Sequence, residues 1–204
     1  MKERKKRIVK KSEFNLKNEY KLSWDFINES RKFIYLIILV FVGFMLIGFF
    51  APVPDSIKQQ IFDFIKELIA KTQGMSQLDL IQFIFLNNLQ SSFMGMILGV
   101  VFGIFPIIAT IVNGYLLGVI GSLSVDSEGI LSLWRILPHG IFELPAIFIS
   151  LGLGLKIGTF IFEKEKSKSF KEFFWNSLRV FIFIVLPLLI IAAVIEGSLI
   201  FFSG

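Results

Sequence analysis

The chain has no cysteine and a single histidine, His139. No disulfide and no thiolate metal site can form, and the redox compartment leaves no signature. With one histidine, the stretch "HGIFE" at 139–143 also departs from the HExxH pattern of zinc proteases. Charge is scarce as well. Only 18% of the residues are charged against 54% apolar, with 25 phenylalanines in 204 residues. A soluble core of this size would show more polar helix faces. No nucleophile motif or dinucleotide fingerprint is present. "GLGLKIG" at 152–158 lies in a hydrophobic run, follows no predicted strand and lacks the P-loop spacing. An enzyme is therefore not expected, and the sequence leaves any cofactor unspecified. The net charge of +5 does not point to nucleic acid, because basic residues in so apolar a chain mark the cytoplasmic side of a membrane.

What is present is a series of long apolar runs. Phe33 to Phe50 gives a first span with no cleavage pattern after it. Residues 80–123 contain no Asp, Glu, Lys, Arg or His, and a single span needs only ~20 residues. Two spans are expected there, about 83–105 and 107–123, with Pro106 as the break. Leu131 to Phe162 is too long for one straight span, since ~32 residues would reach ~48 Å against a core of ~30 Å. Pro138, Gly140 and Pro145 are expected to break it. The last span covers 178–202. Between the first and second spans, Ile57, Ile61, Phe64, Ile65 and Leu68 recur at helical spacing among Lys58, Gln59, Asp63, Lys66 and Glu67. That pattern predicts an amphipathic helix over 55–72, lying on the membrane surface or on the other spans.

These runs predict an all-α integral membrane bundle: one domain of about five transmembrane helices, one of them broken, plus the amphipathic helix. Residues 1–32 are expected to form a basic cytoplasmic tail, with "MKERKKRIVKK" against anionic lipid. Eleven of the 21 basic residues lie in that segment, and "SVDSEG" at 124–129 has none. The positive-inside rule then gives a multi-pass protein of the cell membrane, its N-terminus cytoplasmic and its C-terminus external. Trp24, Trp134 and Trp175 fall at the expected interfaces.

Small residues recur every fourth position. Gly95, Gly99 and Gly103 form one row, Gly114 and Gly118 a second, Gly154 and Gly158 a third. Such rows let helix backbones approach closely, within the chain or between copies in a homo-oligomer.

The other candidates are polar groups where lipid is expected. His139 and Glu143 are one helical turn apart and can touch. A carboxylate at that depth is costly unless it is protonated, paired or wetted. The pair admits a structural role, a proton- or ion-handling role, or an acid–base role. It is expected to titrate as a unit. A metal would need further ligands from a second copy or from Glu196, which otherwise simply reaches the outer interface. Asn87, Asn88 and Asn113, with Ser91 and Ser92 nearby, either hydrogen-bond across helices or line a polar pocket with His139.

The stretch "LPHGIFELPA", preceded by "NNLQSSFMGMILGVVFGIFP" and "NGYLLG", resembles the stage II sporulation protein M family (DUF95) over roughly residues 30–204. The resemblance implies a small multi-spanning membrane protein with signature positions at Asn87, Asn88, Asn113, Gly114, Pro138, His139, Gly140 and Glu143. The family's namesake acts in engulfment, in a membrane complex that includes peptidoglycan-degrading partners. Other members occur in organisms that form no spores, archaea among them. The expected function is a membrane scaffold or complex subunit built around the polar site. The alternative is a small transporter or channel in which His139 and Glu143 handle a proton or cation. Expected partners are the lipid bilayer and either a homo-oligomer or a membrane-protein complex.

Overall fold

A computed structural model describes the backbone of residues 15–135 and 137–203, and the side chains of the same residues except 134–139 and 203. The described residues form seven α-helices: α1 Leu16–Phe50, α2 Asp55–Thr72, α3 Gln77–Ile97, α4 Ile104–Glu128, α5 Leu137–Gly158, α6 Lys166–Val180 and α7 Leu186–Ser203. Five stretches are long and apolar enough to cross a membrane, the last running through α6 and α7.

The first span starts earlier than its hydropathy suggests. Helix α1 reaches back to Leu16, where the Asn15 side chain accepts from Lys17 N at 3.0 Å. Half of the segment expected to be a basic tail is therefore helical. No Gly or Pro interrupts 16–32, and this stretch buries Ser23, Phe26 and Ser30, with α1 packed against α6. The charged stretch 1–14 lies outside the described residues.

The expected break at Pro106 is displaced. The chain reverses before it, through a short 3-10 turn at Leu98–Val100 and positive φ angles at Phe102 (54°) and Gly103 (70°). Pro106 instead occupies the first turn of α4, where its missing N–H has no intrahelical partner to lose. The fourth segment also differs from expectation. Its interruption falls at Gly129 (φ 82°) and a 3-10 stretch at Ile130–Arg135, and α5 then runs unbroken through Gly140 and Pro145. Pro138 stands in the first turn of α5, where proline is tolerated. Pro145 lies on the exposed side of the helix. A proline does shape the last rod: Pro187 follows a π-helical turn at Phe181–Val185. The wider turn takes up the donor that proline lacks and the crowding of its ring against the preceding carbonyl.

The glycine rows are occupied within the chain. A Cβ on Gly99 would overlap the Gly154 backbone, and one on Gly154 would stand 2.7 Å from Gly95 O. That crossing joins α3 and its 3-10 extension to α5. A Cβ on Gly114 would lie 2.6 Å from Phe41 O, and one on Gly118 would overlap Met45 O, so α4 sits directly on α1. Gly152 meets Ile34 and Gly197 meets Ile81 in the same way, α5 on α1 and α7 on α3. Met96, Leu153, Ile157, Val180, Val185 and Leu189 fill the core between α3, α5 and the α6–α7 rod.

Candidate functional site

The spans alternate in direction, so the C-terminal ends of α1, α4 and α7 and the N-terminal end of α5 meet on the side opposite to the start of α1. A cavity of about 820 Å³ lies among them. Its wall is apolar, with Phe41, Met45 and Phe49 from α1 and Leu144 and Ile147 from α5. Leu46, Phe50 and Ile141 also line it and are exposed on the flank of the bundle.

Three polar side chains enter this apolar space: Asn113, Glu143 and Glu196. Glu143, half-buried on α5, and Glu196 on α7 line the same cavity. The two acids lie at matched depth. Glu143 is six residues into α5 and Glu196 seven from the end of α7, each about 10 Å from the same surface at 1.5 Å per residue. Asn113 lines the cavity from α4, and its Nδ2 donates to Ala109 O at 2.8 Å.

The remaining candidates fall elsewhere. The His139 backbone lies in the first turn of α5, and its side chain is outside the described residues. Asn87 and Asn88 do not line the cavity. They sit on α3, Asn87 exposed and Asn88 buried, beside a cross-helix bond in which Ser150 Oγ on α5 donates to Ser92 O at 2.7 Å. Among the described residues, no group of three or more His, Cys, Asp or Glu could hold a metal. From the sequence Glu196 was legible as an acid near the end of the last span that could join Glu143 at a metal. Its depth, counted from the same surface as Glu143, was the one available signal.

A second polar cluster stands on the opposite side. Lys156 at the end of α5 pairs with Glu29 of α1, and Arg179 of α6 pairs with Glu19 of α1 at 2.7 Å. Arg179 also donates to Asn176. These bonds tie the early part of α1 to the rest of the bundle.

Five membrane-length helices with a carboxyl pair set into an apolar cavity define a small helical membrane protein. The chain belongs to the stage II sporulation protein M family, whose sequence profile matches residues 37–199. That range contains the cavity, both glutamates and the glycines of every crossing, and leaves out the early part of α1. One relative, an uncharacterized protein of Methanocaldococcus jannaschii, is 35% identical over 116 residues, which is 54% of this chain and 65% of that protein. The chain therefore spans just under two thirds of that relative's length. A second uncharacterized protein of the same organism is 29% identical over 183 residues, 83% of this chain and 78% of the relative. No solved structure matches the chain.

Proposed function

We propose that this protein binds and exchanges a cation or proton at the Glu143–Glu196 pair, as a small transporter or channel. The carrying observation is that two acids, Glu143 and Glu196, face one cavity walled by apolar side chains. Ionisable side chains at such depth are costly and mark ion or proton pathways. A pair that holds one proton can release it when a cation arrives, since two carboxylates and an amide oxygen offer the hard oxygen ligands that such ions take. By the basic residues of the N-terminal segment, the cavity belongs to the outer half of the membrane. The scaffold reading needs neither acid, because apolar side chains would pack as well and without a desolvation cost.

The experiment is flux into liposomes. The purified chain is reconstituted with a pH-sensitive dye inside, and gradients of protons, sodium, potassium or calcium are imposed. Glu143→Gln and Glu196→Gln are each expected to abolish flux while the protein still elutes as a single species in detergent. Wild-type liposomes that pass none of these ions, or variants that pass them like the wild type, would overturn the reading. In that case partner capture unaffected by either substitution would favour the scaffold.

A further inference from the structure

Helix α2 takes no part in the cavity, and it has a chemistry of its own. Its apolar residues fall on one arc, from Phe64 through Ile57, Leu68, Ile61 and Ile65 to Ile69 and Phe62, by the 100° step of a helix. The opposite arc carries Gln59, Gln60, Asp63, Lys66, Glu67 and Lys71. Such a face ordinarily packs on the rest of the protein, but the backbone of α2 stays apart from the other helices, and only the centre of the arc is covered. Only Ile61 is buried. The two shoulders of the arc are open, with Phe62 44%, Phe64 59%, Leu68 41% and Ile69 58% exposed.

Two further observations identify what covers these shoulders. The first is position. Residues 51–54 join α2 to the end of α1, and 73–76 join it to the start of α3. Both ends are tied to the same end of the bundle by four-residue links, so the helix cannot leave the level at which two spans emerge from the membrane. The second is charge. Three lysines and three acids cancel along α2. Two pairs form among them, Lys71 with Glu67 at 2.8 Å and Lys58 with Asp55 at 3.8 Å, and Gln59 donates to Asp63 at 3.0 Å. The hydrogen bond and charge of Lys71 hold the Glu67 carboxyl below the usual carboxylate range, so this pairing persists at neutral pH. A polar face satisfied in this way has no net attraction for a charged partner.

We infer that α2 is an in-plane membrane anchor, with Phe62, Phe64, Leu68 and Ile69 seated among lipid chains at the boundary beneath the headgroups. Apolar burial holds it there, so the attachment is indifferent to salt and to anionic lipid. This role is independent of the Glu143–Glu196 site.

The chain has no cysteine, so each introduced cysteine is unique and the test is direct. Single variants Phe62→Cys, Phe64→Cys, Leu68→Cys and Ile69→Cys, with Gln60→Cys and Lys66→Cys as polar-face controls, are spin-labelled in the full-length protein. They are then reconstituted in zwitterionic phosphatidylcholine nanodiscs. Collision with oxygen, which concentrates in lipid, is compared with collision with a water-soluble nickel chelate. The four apolar positions are expected to favour oxygen several-fold over the controls, and added salt or phosphatidylglycerol should not change the ratio. Labels reached by nickel at the apolar positions would place α2 in water. Labels shielded from both reagents would place a protein surface, such as a second copy, over the helix. A ratio that collapses at high salt would mean attachment by charge. Each of these three results overturns the inference.

Discussion

Lys156 Nζ stands 3.0 Å from Glu29 Oε1 and 4.0 Å over the centre of the Phe173 ring. One ammonium thus joins three helices, α5 through its own stem, α1 through Glu29 and α6 through Phe173. The two partners are unequally wet: the Lys156 side chain is 11% exposed and that of Glu29 58%. We predict that Glu29→Gln destabilises the protein more than Lys156→Met does. The first leaves a nearly buried ammonium without its counter-charge, whereas the second returns an acid to water and keeps the stem in place. Breaking a fully buried pair costs about 3–5 kcal/mol, so the partial exposure of Glu29 brings the expected loss to about 1–2 kcal/mol. Melting in detergent checks the order, and equal or reversed losses would remove the argument.

The glycine crossings set a second expectation. Nothing lies within 4 Å of a Cβ built on Gly43, whereas one on Gly99 runs into the Gly154 backbone. Gly99→Ala should therefore lower stability by about 1–3 kcal/mol through overpacking. Gly43→Ala should leave it unchanged or raise it by up to about 1 kcal/mol, as helix propensity favours Ala. Both proteins should keep the oligomeric mass of the wild type, because these crossings lie within one chain. A Gly99→Ala protein that stays stable but changes mass would show that the row serves a second copy instead.

Glu143 and Glu196 line one cavity, and a shared proton between them would couple the two energetically, which is measurable. Glutamine retains shape and can donate to the remaining carboxyl, so each single variant should fold with a stability change of about 1 kcal/mol or less. A double-mutant cycle should give an interaction energy of about 0.5–3 kcal/mol, the range for residues in direct contact. An additive cycle would mean that the carboxyls do not interact in the membrane.

Topology follows from the basic residues of the N-terminal segment and the acidic turn at 124–129. We predict that cysteines introduced at Ser127 and Ser203 both react with an impermeant reagent added to intact cells, and that one at Lys21 reacts only after permeabilisation. Protection of Ser203 alone would contradict an odd number of spans.

The sequence by itself determined the number of membrane-length helices, the limits of the amphipathic helix at 55–72 and the rows of small residues. Each of these is a local pattern in hydropathy or spacing, and a local pattern survives whatever the rest of the chain does. The placing of the breaks was less legible. Pro106, Gly140 and Pro145 look like interruptions in isolation. A proline in a first turn loses no bond, and a glycine inside a helix can serve contact. The reversals instead fall where the backbone takes positive φ, at Phe102–Gly103 and Gly129. The early part of α1 reads as a charged tail until α6 is seen packed along it. What only the tertiary structure decided is the pairing of Glu143 with Glu196. Sequence gives each acid its depth along its own helix. Which helices stand side by side at that depth depends on how the glycine contacts stack α3, α5 and α7, and those contacts join residues far apart in the chain.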